Sequence, residues 1–159
     1  MDRVTSPETS TDTTHVVICT TGGTITASTT SDGVVRAGDS VPTTAALLGE
    51  LQAVLPGDIR VSVRPVLDAD SSSFGPAEWD VLVDAVADVL TDPTVSGVVL
   101  THGTDTLEET AMALDLHHDD PRPVALTGAQ LPADHPDADG PANLLDAVLL
   151  AADPVSRGL

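Results

Sequence analysis

The sequence predicts an open α/β fold, a mostly parallel sheet with helices on both faces in a Rossmann-like three-layer arrangement. Three observations carry this. Short, continuously apolar runs rich in β-branched residues, such as Val16–Thr20, Gly97–Thr101 and Val124–Thr127, read as strands buried on both faces. They alternate with longer stretches of helical spacing, the order expected of βαβ units. Four of the strands also run directly into loops of small polar residues, which an open parallel sheet collects along one edge.

Residues 1–14 are polar and lack the apolar stretch of a signal peptide, so they are expected to form a disordered leader ahead of one domain, 15–159. Val16–Thr20 is the first strand. Ile25–Ser28 and Val34–Val35 flank TTSDG, whose Asp32-Gly33 favours a tight turn, so a small hairpin follows. From Val41 to Pro56, Ala45, Leu48, Leu51 and Leu55 recur at helical spacing, and Pro56-Gly57 stops the helix. Ile59–Leu67 alternates Ile59, Val61 and Val63 with Arg60, Ser62 and Arg64, a half-buried strand interrupted at Pro65.

After the polar loop DADSSSFG, Pro76–Leu90 is an amphipathic helix carrying Trp79, Leu82, Val83, Val86 and Leu90 on one side, with Pro76 in its first turn. Strand Gly97–Thr101 leads through HGTD into helix Thr106–His118. Two capping boxes compete at its start, Asp105 with Glu108 and Thr106 with Glu109. Strand Val124–Thr127, a long loop and a helix from Pro141 to about Ala152 complete the series. A series ending on a helix leaves the sheet looking unfinished, so the domain is expected to be incomplete at its C-terminal end.

Composition narrows the partners. The formal net charge is −19, from 25 acidic and 6 basic residues, all arginine, with no lysine. Such a surface excludes a nucleic-acid backbone and an anionic membrane face as expected partners. It also repels itself, and salt screens that repulsion. No stretch is long and apolar enough to span a membrane. An intracellular, cytoplasmic protein is the default expectation. Aromatic residues make up 1% of the chain, so Val, Leu, Ile and Ala must build the core. The one cysteine, Cys19, lies inside the first strand and reads as a small buried hydrophobe.

The loops at the predicted edge carry the chemistry. In TTGGT, Gly22 and Gly23 permit close backbone approach, and no Gly-Lys-Ser/Thr follows to make a phosphate-binding loop. DADSSSF offers hydroxyls and carboxylates. Asp68 and Asp70 suit either a cation or a solvated loop, but no set of histidines or cysteines joins them. In LTHGTDTLEET, Thr104 and Asp105 sit where a helix begins, and Asp105 is either a plain cap or a group facing a ligand. His102 reads as an orienting or packed residue rather than a base, and His117 and His118 as surface. Two hydroxyls facing one small substrate suggest acyl transfer and hydrolysis.

Three blocks in this order, TGGTI at Thr21–Ile25, THGTDTLEETA at Thr101–Ala111 and DGPANLLDAV at Asp139–Val148, resemble the bacterial-type L-asparaginases of the asparaginase/glutaminase family. The resemblance covers about Val16 to Gly158 and implies an amidohydrolase that converts L-asparagine to L-aspartate and ammonia, with glutamine as a second substrate. It implies no metal and no organic cofactor. By residue, it implies that Thr24 is the catalytic nucleophile, that Thr104 is the second catalytic threonine, and that Asp105 is its partner and holds the substrate α-amino group. It implies too that Ser71 binds the α-carboxylate, that Ser72 is the next substrate contact, that Ala129 and Gln130 lie near the amide side, and that Gly22, Gly23 and Gly103 are structural.

Three features that the resemblance implies are missing from these residues. The family carries a tyrosine on the loop after the first block, at a position near Val35, and this chain has no tyrosine. A lysine that pairs with the second threonine lies beyond residue 159, as does a smaller C-terminal domain that contributes to dimer contacts. The expectation is therefore a weak or inactive chain on its own, with a non-catalytic amino-acid-binding module or one half of a split enzyme as alternatives.

Overall fold

The computed structural model describes residues 13–22, 28–29, 35–36 and 48–158. Gly23, Thr24, Ile25–Ala27, Val34, 41–47 and most of the leader lie outside the described residues. Strand β1 spans Thr14–Thr20, β2 Ser28–Thr29, β3 Val35–Arg36, β4 Ile59–Pro65, β5 Val95–Thr101 and β6 Val124–Thr127. Helix α1 comprises 48–54. Helix α2 spans Pro76–Val89, α3 Leu107–His117 and α4 Gly140–Ala152.

Strands β4-β1-β5-β6 form one sheet in that order, and every pairing is parallel. Strand β1 pairs β4 from Thr14↔Ile59 to Thr20↔Pro65, and β5 from Val16↔Gly97 to Thr20↔Thr101. Strand β6 continues the row, with Thr101↔Thr127. The predicted hairpin is present as the antiparallel pair β2–β3, with Ser28 opposite Arg36 and Thr29 opposite Val35. Strand β4 ends on Pro65, where the missing N–H is tolerated because an edge strand has a neighbour on one side.

Both faces of the sheet are covered. On one, Val16, Ile18, Val99 and Ala125 pack with Leu51 and Leu55 around α1 and with Leu144, Ala147, Val148 and Ala151 of α4. On the other, Val17, Cys19, Val98 and Leu100 pack against Leu82, Val86 and Val89 of α2 and Leu114 of α3. Because adjacent residues of a strand point to opposite faces, this double burial explains the continuous apolar runs. Each buried Val, Leu or Ile contributes about 1.5–3 kcal/mol. Cys19 is fully buried, and burial pushes its thiol up to about 11, so it behaves as the small hydrophobe expected.

Helix α2 starts as predicted, with Pro76 in its first turn and the Glu78 carboxylate accepting from the Gly75 N–H at 2.9 Å. Helix α3 does not. A 3-10 turn, Thr104–Thr106, precedes it, and neither expected capping box forms. Thr106 instead donates its hydroxyl to the Ser71 carbonyl at 2.9 Å, because a tertiary partner lies within reach.

At the opposite end of the sheet from these loops, the Arg122 guanidinium donates to the carbonyls of Leu90, Asp92 and Val95 and to the Asp120 carboxylate. The same arginine holds the Asp120 carboxyl down at about 2. Arg122→Leu would remove one donor from each of those carbonyls and the guanidinium partner of Asp120. We expect a loss of roughly 2–3 kcal/mol in urea unfolding, with an unchanged denaturant slope.

Candidate functional site

Strand order decides where the site is. From β1 the chain moves outward to β4, and from β5 it moves the other way to β6, so their exit loops diverge. A crevice opens at such a switch point, at the carboxyl ends of the strands. This strand order places it beside the loops that begin at Thr21 after β1 and at His102 after β5.

The Thr21 hydroxyl bridges the crevice floor by donating to the Thr101 carbonyl at 2.8 Å, and Thr21 is itself buried. Gly22 has φ +92°, and a Cβ there would stand 3.0 Å from the Ala69 carbonyl oxygen. Both facts demand glycine. Gly23 and Thr24, the expected nucleophile, lie outside the described residues. The backbone of Thr20 and Thr21 continues into the next loop, accepting from the N–H groups of Val66, Leu67 and Ala69.

The serine loop after β4 folds into a 3-10 turn, Ser71–Ser73. The Asp70 carboxylate accepts from the Ser72 N–H at 3.0 Å and the Ser72 hydroxyl at 2.8 Å, which holds the carboxyl below its usual range. Asp70 is therefore a turn-capping group. Among the described residues no group of His, Cys, Asp and Glu is arranged to hold a metal ion. Ser71 is buried, and its hydroxyl accepts from the Asp105 N–H at 3.3 Å. A Cβ on Gly103 would fall 2.3 Å from that hydroxyl, so the second structural glycine is required by close approach.

His102 is fully buried. Its Nδ1 lies 2.6 Å from the Gly103 carbonyl, its Nε2 lies 2.8 Å from the Thr110 hydroxyl, and Phe74 meets its ring edge-on at 5.0 Å. Burial lowers its pKa despite the Gly103 contact. It is packed, as read from the sequence, and its ring does not reach solvent. Thr104 and Asp105 differ from their neighbours: both side chains are exposed at the crevice, and neither hydrogen-bonds another described residue. His117 and His118 lie at the far end of α3, bonded to the carbonyls of Ala113 and Arg122.

Beyond β6, Ala129 is buried in the core on the α4 side, and Gln130 is exposed. Sequence reading did not assign structural roles to Asp139 and Asn143. The Asp139 carboxylate accepts from the N–H groups of Gln130 and Leu131 at 3.0 Å each, and Asn143 Nδ2 bridges Asp139 to the Gly128 carbonyl at 3.0 Å. These bonds hold the Asp139 carboxyl below its usual range. The signal was present as a polar Asp-x-x-x-Asn spacing at a helix start, where the side chains lie one turn apart. A separate cavity of about 770 Å³ opens at the other end of the sheet beside Thr94, Arg122 and Arg157, remote from these loops.

Residues 15–159 match the asparaginase family model, described as Asparaginase, N-terminal. This chain belongs to the asparaginase family. It is 39% identical over 138 residues to L-asparaginase 2-3 of Saccharomyces cerevisiae, a match that covers 87% of this chain and 38% of the relative. Its fold superposes on the thermostable L-asparaginase of Thermococcus kodakarensis with TM-score 0.73 at 33% identity, covering 90% of this chain and 42% of that one. For the probable cytoplasmic L-asparaginase of Campylobacter jejuni the TM-score is 0.72 at 31% identity, with 91% and 41% covered. The chain thus spans about two fifths of the length of these asparaginases.

Burial lowers the pKa of His15 and of His102 below the ordinary 6.5, so the unfolded chain binds these protons more tightly than the folded one. Their contribution is complete above pH 6.5 and is lost as pH falls below it. The unfolding free energy of wild type relative to His15→Asn should fall through that window, a difference that cancels the general charge repulsion. Asp139→Ala should accelerate amide hydrogen exchange at Gln130 and Leu131, while β1 and β5 keep their protection.

Proposed function

We propose that this chain supplies the amino-acid-binding side of an L-asparaginase site. There L-asparagine, and secondarily L-glutamine, is hydrolysed at its side-chain amide. The supporting observation is the contrast at the β1/β5 crevice. Ser71, His102 and Thr106 are hydrogen-bonded within the protein, whereas Thr104 and Asp105 present a hydroxyl and a carboxylate outward without described partners.

In this reading the Asp105 carboxylate pairs with the substrate α-ammonium. The Ser71 hydroxyl accepts from Asp105 N–H, so its own proton is available to the α-carboxylate. Ser72 donates to Asp70 and must turn to contact the substrate. Ala129 would act through its backbone, its methyl being in the core. Thr24 Oγ attacks the amide carbon, ammonia leaves with the transferred proton, and water cleaves the resulting ester to release aspartate and restore Thr24. Thr104 polarises or relays at the amide. The reaction as proposed needs no metal or organic cofactor, and a cytoplasmic setting accompanies it.

Activation of either threonine needs a base. The 159 residues contain no lysine and no tyrosine, and His102 is sequestered by its two bonds. That observation favours a second reading, a non-catalytic amino-acid-binding module.

Ammonia release from L-asparagine, measured from low to molar salt, separates the two. We expect binding of L-aspartate by calorimetry with little or no turnover. Asp105→Asn should weaken that binding roughly five- to tenfold. Turnover at a substantial rate that disappears in Thr24→Ala would establish a lysine-free mechanism in these residues. Absence of binding in folded, salt-screened protein would reject both readings.

A further inference from the structure

A chain of polar groups runs from α2 to the crevice through the protein interior. The Trp79 indole Nε1–H donates to the Thr110 hydroxyl at 3.1 Å. That hydroxyl lies 2.8 Å from His102 Nε2, and His102 Nδ1 lies 2.6 Å from the Gly103 carbonyl. His102 and Thr110 are both fully buried.

The direction of every bond follows from the ends. An indole nitrogen only donates and a carbonyl only accepts. Thr110 therefore accepts from the indole N–H and donates its hydroxyl to Nε2, leaving Nδ1 to carry the ring proton and donate to the Gly103 carbonyl. One tautomer of a neutral imidazole satisfies the whole chain. Phe74, from the end of the serine loop, packs against the ring in a T-shaped contact.

We propose that Trp79 and Thr110 are positioning residues that act through His102 to set the Gly103–Asp105 turn. The peptide unit is planar, so fixing the Gly103 carbonyl also fixes the direction of the Thr104 N–H. The Asp105 N–H is tied to Ser71 Oγ, and the Thr106 hydroxyl to the Ser71 carbonyl. The turn is thereby clamped on both sides of Thr104, while its two exposed side chains make no hydrogen bond to a described residue. A group displaced by about 1 Å at such a position loses much of its effect on a bound substrate. The importance of this for ligand binding rests on the reading of Thr104 and Asp105 as substrate contacts, but the clamp itself does not.

The test uses nitrogen-15 spectra of the full chain, with wild type compared with Trp79→Phe and Thr110→Val. Phenylalanine keeps the aromatic packing and removes the donor. In wild type, His102 Nε2 should resonate as an unprotonated acceptor and Nδ1 as a protonated donor. Both variants should shift the Nε2 signal and the amides of Thr104 and Asp105, and weaken L-aspartate binding about three- to tenfold. Their thermal midpoints should stay within a few degrees of wild type.

Wild-type His102 protonated at Nε2 overturns the proposal whether or not either variant folds. So do Thr104 and Asp105 amides that stay at wild-type positions in Trp79→Phe. If those amides move while wild type binds no aspartate, the positioning chain stands and the assigned function fails.

Discussion

The contact between Ser71 and Gly103 sets the geometry of the whole crevice. A buried serine lies so close to the Gly103 backbone that no side chain fits between them. Through it, the loop leaving β4 and the loop leaving β5 become one unit, although β1 separates their strands in the sheet. The Asp105 N–H and the Thr106 hydroxyl both end on Ser71, which diverts Thr106 from capping α3. A helix start that would ordinarily be satisfied locally is here satisfied by another loop.

Polar groups around the crevice are arranged in layers as a consequence. The innermost, Thr21, Ser71 and His102, are buried and bonded to backbone. Asp139 and Asn143 hold the β6 loop from the side, and Asp70 closes the serine turn. Buried polar groups are costly unless paired, so this inner layer admits few alternative arrangements. Thr104 and Asp105 are left outside it. Their availability comes from the completeness of the bonding beneath them.

Much of the fold was legible because its signals are local. Continuous apolar runs marked β1, β5 and β6, alternation marked β4, and helical spacing with Pro76 and Pro141 marked α2 and α4. The loop blocks also identified the family. Two features were not legible, the uncapped start of α3 and the chain from Trp79 to Gly103, while the bonds of Asp139 and Asn143 to the β6 loop showed in the sequence only as an Asp-x-x-x-Asn spacing. Trp79 looked like an ordinary core residue of an amphipathic helix, but it is half-buried and belongs to neither side of the core. Its N–H partner lies 31 positions away, and sequence periodicity carries no information about a contact of that separation.

The sequence by itself determined the α/β class, the order of strands and helices, and the loops that end in small polar residues. Those follow from hydrophobic period and turn chemistry, which act over a few neighbouring residues. The tertiary structure decided which of those loops meet, which histidine is sequestered, and which hydroxyls are spent on the protein itself. The physical reason is that a hydrogen bond is satisfied by whichever partner the folded chain brings within about 3 Å. At this crevice another strand's loop supplies that partner for the Thr21 hydroxyl, the Asp105 N–H and the Thr106 hydroxyl.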